Sequence, residues 1–157
     1  MERISLLISE EDCMGCHACE IACKQEHNLG VGPKLIRVIE NSPHYIPVYC
    51  HHCIEAPCLE SCPVDAIFTD ELGVVLIDSE LCTGCRECIE ACPYGAMQFD
   101  DENEVAIKCD LCIERLRNND QPACSKACPT QCIFWGPVKN LSDNTGLKQS
   151  GGSVASV

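Results

Sequence analysis

Leu81-Cys82-Thr83-Gly84-Cys85-Arg86-Glu87-Cys88-Ile89-Glu90-Ala91-Cys92-Pro93 sets four cysteines at the spacing C-x2-C-x2-C-x3-C and ends on proline. Three thiols this close suit a short loop wrapped round one compact inorganic core, after which the proline starts a new direction. Cys13, Cys16, Cys19 and Cys23 repeat the spacing unchanged. Cys50, Cys53, Cys58 and Cys62 have two extra residues in the second gap, and Cys109, Cys112, Cys124 and Cys128 stretch the middle gap into a loop. Sixteen of the 17 cysteines thus fall into four quartets, and Cys132 is left over.

Disulfides fit this order badly, because they belong to oxidising compartments and cysteines so closely spaced are poorly placed to bridge each other. Zinc prefers two ligand pairs separated by a longer spacer. The run C-x2-C-x2-C-x3-C-P is instead that of bacterial iron–sulfur proteins, in which the fourth cysteine ligates the other cluster. Pro63, Pro93 and Pro129 complete it in three of the quartets. Four [4Fe-4S] clusters are therefore the expected cofactors.

The remaining composition narrows the function. A length of 157 residues allows one compact unit or two very small ones. With 24 acidic against 11 basic side chains and a net charge of −13, the chain lacks the basic patches that nucleic acid requires. The longest apolar stretches are only four or five residues, so no membrane-inserting helix is expected. Met1–Leu7 carries neither a long apolar region nor a twin-arginine pair, which points to the cytoplasm. At 4% aromatic residues an oily core is small, so cluster ligation must supply much of the folding free energy.

Ile8–Cys16 parallels Ile77–Cys85, and each follows a short apolar run, Ile4–Ile8 or Val74–Ile77, that reads as a strand entering a cysteine loop. Gly15 and Gly84 sit where the backbone must approach the inorganic core or take positive φ. Cys62–Phe68, Cys92–Met97 and Cys128–Phe134 spell one turn into a strand three times. Short helices are expected at Glu87–Ala91 and Ile113–Arg117, and a hairpin with an acidic tip over Gln98–Ile107. Residues Pro137–Val157, rich in Ser, Gly and Asn, read as a C-terminal tail that docks on a partner chain.

Other candidates carry less. His51 and His52, between Cys50 and Cys53, could tune a cluster by hydrogen bonding, though packing or exposure explains most histidines; His17, His27 and His44 carry no motif. Tyr94 could shield a cluster or simply pack in the core. Lys24, Lys108, Arg115 and Arg117 could face a partner, against the ordinary reading of solvated charges. Cys132 stands where the inner repeats have Ala66 and Ala96, as a small buried residue or else a spare thiol. No nucleotide-binding glycine motif and no acid–base pair stand out, so independent catalysis is not expected.

Cys16-His17-Ala18-Cys19 leading to Ala22-Cys23-Lys24, Tyr49-Cys50-His51-His52-Cys53 with Ala56-Pro57-Cys58, and Lys108-Cys109-Asp110-Leu111-Cys112 to Pro122-Ala123-Cys124 carry a resemblance over residues 4–136. The chain resembles the four-cluster electron-transfer subunits of the dimethyl-sulfoxide-reductase type, also found with formate dehydrogenases, hydrogenases and tungsten aldehyde oxidoreductases. The resemblance implies an α+β fold of two nested bacterial 2[4Fe-4S] ferredoxin-like units. Residues 1–48 plus 101–136 would form the outer unit, 49–100 the inner one, and 137–157 the tail. It implies swapped ligand sets: Cys13, Cys16, Cys19 with Cys128; Cys109, Cys112, Cys124 with Cys23; Cys50, Cys53, Cys58 with Cys92; and Cys82, Cys85, Cys88 with Cys62. Some members of this family replace a cysteine of the fourth quartet by tryptophan, but this chain keeps all four.

The implied function is a non-catalytic relay. Its partners would be a catalytic subunit with a molybdenum or tungsten pterin (or a hydrogenase) and a second subunit or carrier that accepts or donates electrons. Self-association into a larger or filamentous assembly follows from the same analogy. A freely diffusing polyferredoxin is the alternative, and a zinc adaptor a third.

Overall fold

The computed structural model describes residues 3–144. Its strands are short and all pair antiparallel, in four separate two-stranded sheets. Strand β1 (Ile4–Ile8) pairs with β8 (Ile133–Pro137), so the two ends of the described chain meet, with Ile4 opposite Pro137 and Ile8 opposite Ile133. Between them lie the hairpins β2 (Arg37–Asn41) with β3 (His44–Val48), β4 (Ile67–Thr69) with β5 (Val75–Ile77), and β6 (Gln98–Asp100) with β7 (Val105–Ile107). This is a small mixed fold of short helices and antiparallel strands.

The helices begin inside the cysteine loops. Cys19 lies in α1 (Ala18–Glu26), Cys58 in α2 (Pro57–Glu60), Cys88 in α3 (Glu87–Ala91) and Cys124 in α5 (Ala123–Ala127). Helices α1, α3 and α4 (Ile113–Arg117) start from left-handed residues, His17, Arg86 and Cys112, with no side-chain cap. Such a backbone costs an L-residue about 1–2 kcal/mol, and it persists only where the surroundings dictate it. Here it falls inside the cysteine loops, at the point where each chain segment turns into its helix.

Buried side chains divide into two groups. One holds Leu6, Ile8, Leu35, Ile36, Val38, Leu111 and Ile133 with Cys19, Cys23, Cys109 and Cys124. The other holds Ile67, Val75, Met97 and Ala106 with Cys58 and Cys88. Thiols occupy both, so neither group is purely hydrocarbon.

Strand Ile4–Ile8, helices Glu87–Ala91 and Ile113–Arg117 and the Gln98–Ile107 hairpin lie where the sequence places them. The strand expected from Val74 begins one residue later, at Val75. The tail expectation needs correcting at its start. Pro137 closes β8 and Val138–Asn144 forms α6, which packs on β1 and β8, buries Leu141, and donates the Val138 amide to the Arg3 carbonyl at 3.0 Å. The rest of the expected tail, 145–157, lies outside the described residues. Among the described residues no helix is long and apolar enough to cross a membrane.

Candidate metal centre

The turn after three of the fourth cysteines, Cys62, Cys92 and Cys128, is built to serve sulfur. Asp65, Gly95 and Gln131, each three residues on, take positive φ of 53°, 61° and 54°. The next amide then points back at the thiol: Ala66 to Cys62 Sγ at 3.3 Å, Ala96 to Cys92 Sγ at 3.4 Å, and Cys132 to Cys128. A second device recurs at the first cysteines of two loops. The His52 and Leu111 amides, both on left-handed residues, donate to Cys50 Sγ and Cys109 Sγ at 3.4 Å.

The thiols gather across quartet boundaries. Cys62, Cys82, Cys85 and Cys88 line one cavity, with Ala66 and Ile67 among its apolar walls. Cys53 and Cys58 lie close enough to Cys50 and Cys92 to feel their charge. Cys23 is acted on by Cys124 and Cys112, and Cys109 by Cys124. Cys19 feels Cys13 and Cys16, while Cys132 links Cys13 to Cys128, its Sγ lying 3.5 Å from that of Cys128.

The sets also follow one another in a line, with Cys19 near enough to Cys124, Cys50 to Cys109, and Cys58 to Cys88 for charge on one to act on the next. Cys16 and Cys85, in the two end groups of that line, are the exposed cysteines.

Burial raises these thiols, Cys58 and Cys88 to about 11 and Cys19 and Cys124 to about 12, with Cys109 pushed well above its ordinary value. In each the chief cause is loss of solvation, aggravated by the other sulfurs. Thiolates in such company are stable only around a cationic core. Inward-facing sulfurs, amides aimed at them and an apolar lining fit an iron–sulfur cube, whose ligands are deprotonated cysteines. The four thiols round one cavity agree with that chemistry.

The other candidates are placed as follows. His17 sits between Glu20 at 3.1 Å and Glu40 at 3.3 Å, and these acceptors raise its pKa. Glu20 is itself buried; desolvation alone would raise it, but Lys34, the Val38 amide and His17 hold it below the ordinary carboxyl value. His51 is stacked between Tyr49 at 4.8 Å and Tyr94 at 4.0 Å between ring centres. Lys24 bonds to the Gly30 carbonyl, Arg115 to Glu26 and Asp120, and Arg117 to Glu114. Lys108 is buried, contrary to a partner-facing role. No motif marks His27, yet its Nε2 lies 3.3 Å from Asp110 Oδ1 and 3.8 Å from Cys112 Sγ.

Fold and site together define an iron–sulfur electron-transfer protein that binds several [4Fe-4S] clusters. Residues 42–138 match the 4Fe-4S dicluster domain and residues 10–26 a 4Fe-4S binding domain. The chain belongs to the 4Fe-4S dicluster family. It is 31% identical to an anaerobic dimethyl sulfoxide reductase subunit of Haemophilus influenzae, over 96% of this chain and 82% of that protein. It is 33% identical to the probable anaerobic dimethyl sulfoxide reductase subunit YnfG of Escherichia coli K12, over 92% and 78%. Thiosulfate reductase electron transfer subunit PhsB of Salmonella typhi is 34% identical, over 83% of this chain and 74% of that protein.

Proposed function

We propose that this chain is the relay subunit of a multisubunit oxidoreductase and passes electrons through four [4Fe-4S] clusters between a molybdenum or tungsten pterin subunit and a second redox partner. The ligand sets are Cys13, Cys16, Cys19, Cys128; Cys23, Cys109, Cys112, Cys124; Cys50, Cys53, Cys58, Cys92; and Cys62, Cys82, Cys85, Cys88. The cavity shared by Cys62 and the Cys82–Cys88 loop carries this reading, because it joins the fourth cysteine of one quartet to three of another. Relatives named as subunits of dimethyl sulfoxide and thiosulfate reductases support the catalytic partner. The β1–β8 pairing of the two ends round the inner hairpins supports an outer unit of residues 1–48 and 101–136 enclosing an inner unit of 49–100.

One-electron transfer is what the clusters supply when bound. The chain's own residues set the order and the ends. Groups of thiols follow one another along a line, apolar side chains such as Ile67, Val75 and Met97 pack round Cys58 and Cys88 and keep water from them, and exposed Cys16 and Cys85 mark opposite ends for two partners. No acid–base machinery is needed, because no bond to substrate forms here. The reduced thiols suit the cytoplasm.

Purification from native extract under anaerobic conditions tests this reading. The chain co-elutes with a much larger polypeptide containing molybdenum or tungsten, absorbs near 400 nm, and holds one iron and one acid-labile sulfide per ligating cysteine. Elution alone at its 17.2 kDa mass would favour the free carrier instead.

A further inference from the structure

His52 is fully buried between Cys50 and Cys53. Its Nδ1 accepts the Val75 amide at 3.1 Å, so the neutral ring carries its proton on Nε2. That Nε2–H is buried and meets no acceptor among the described residues, and the same is true of Arg3 Nη2. Buried donors are almost always satisfied, because an unmet one loses its hydration for nothing. Lys108 is a third buried donor group, 6% exposed. Its ammonium bonds to the carbonyls of Val75 and of Cys109, the latter at 2.9 Å, and forms no ion pair among the described residues. Two of its three N–H groups are thereby used.

His52 is tied to these thiols through its backbone amide, which donates to Cys50 Sγ at 3.4 Å. The charge of Lys108 reaches Cys58 and His52, and that of Arg3 reaches Cys53 and His52. Elsewhere the nearby charges differ. Asp110 faces Cys23, Cys109 and Cys112, Glu20 faces Cys19, and Arg115, which also acts on Cys112, is already paired with Glu26 and Asp120. Arg86, on the wall of the Cys62 cavity, is exposed and engaged with Asp101 and the Phe99 ring.

We propose that Arg3, His52 and Lys108 are positioning residues for the cluster held by Cys50, Cys53, Cys58 and Cys92, and that they make it the highest-potential centre of the four. The proposal rests on the ligand assignment above. Reduction adds a negative charge, which fixed cations and aimed N–H donors stabilise in a dry, low-dielectric site. A cluster bound there would supply sulfur acceptors for the two orphaned donors. An internal centre of high potential holds an electron between the two ends of the line.

The test is potentiometric titration of the full chain, loaded with clusters anaerobically and read by electron paramagnetic resonance, beside Lys108→Met, Lys108→Arg and Arg3→Gln. In Lys108→Met the highest-potential signal moves negative by at least about 59 mV, a tenfold fall in its reduced-to-oxidised ratio at fixed potential. Arg3→Gln moves the same signal in the same direction and carries the test alone should Lys108→Met fail to load. Lys108→Arg, which keeps the charge, leaves the signal close to its wild-type potential.

No shift, a shift spread over all four signals, or equal shifts in the Met and Arg variants would overturn the proposal. Cys92→Ser must remove or alter the highest-potential signal. If a lower-potential one goes instead, the proposal fails while the four-cluster reading stands. Fewer than four clusters by iron and sulfide analysis of the wild type would sink that reading and the proposal with it.

Discussion

At Gly84 the chain holds φ at +71°, and a Cβ there would run into the carbonyl oxygen of Glu104 in the β6–β7 turn. Glycine is needed on both counts, since the left-handed backbone is costly for any L-residue and the carbonyl cannot move without its hairpin. Gly84→Ala should lower stability by about 2 kcal/mol or more. Gly30→Ala, where nothing lies within 4 Å, should stay within about 0.5 kcal/mol of the wild type. Anaerobic guanidinium titrations that follow the cluster absorbance compare the two, and equal midpoints would refute the argument. Gly84 was legible in the sequence because it lies between two cysteines of a repeated loop. Lys108 was not: a lysine is almost never buried without a partner, so its sequence prior is the surface. Only the convergence of Val75, Cys109 and His52 in space reveals its place.

Among the elements, those tied to cysteines could be read from the sequence and those tied to packing could not. Helix Glu87–Ala91 and the Gln98–Ile107 hairpin follow from cysteine spacing and from a run of acidic turn residues. The β2–β3 hairpin carries no such mark. Pro47 stands inside β3, opposite Val38, and proline argues against a strand unless it lies on an edge, as it does in this isolated pair. Helix α6 was hidden by the Ser- and Gly-rich composition that follows it. Its Leu141 is 7% exposed, on a helix that packs against both β1 and β8. Leu141→Ala should therefore cost about 2 kcal/mol or more and speed amide exchange in both strands, while the iron content is unchanged. Unaltered exchange in Ile4–Ile8 would show that α6 does not clamp the closing sheet.

Across the whole molecule, the stability problem is set by what the core lacks. Aromatics make up 4% of the chain, no sheet among the described residues exceeds two strands, and a two-stranded hairpin alone is marginal in water. Thiols occupy both buried groups, and without metal they are desolvated, mutually repelling on ionisation and cross-linked by nothing. Metal ligation in small domains contributes on the order of 10 kcal/mol or more per site, which exceeds the whole margin of an ordinary fold. The positive-φ residues His17, His52, Arg86 and Leu111, which bend the loops inward, would relax once nothing held the thiols together. Anaerobic iron chelation should accordingly abolish the far-ultraviolet circular dichroism in step with the absorbance near 400 nm. The inner hairpins should not outlast the β1–β8 sheet by more than the loss of individual clusters explains. An iron-free chain that kept its native dichroism would show that hydrocarbon packing alone sustains the fold.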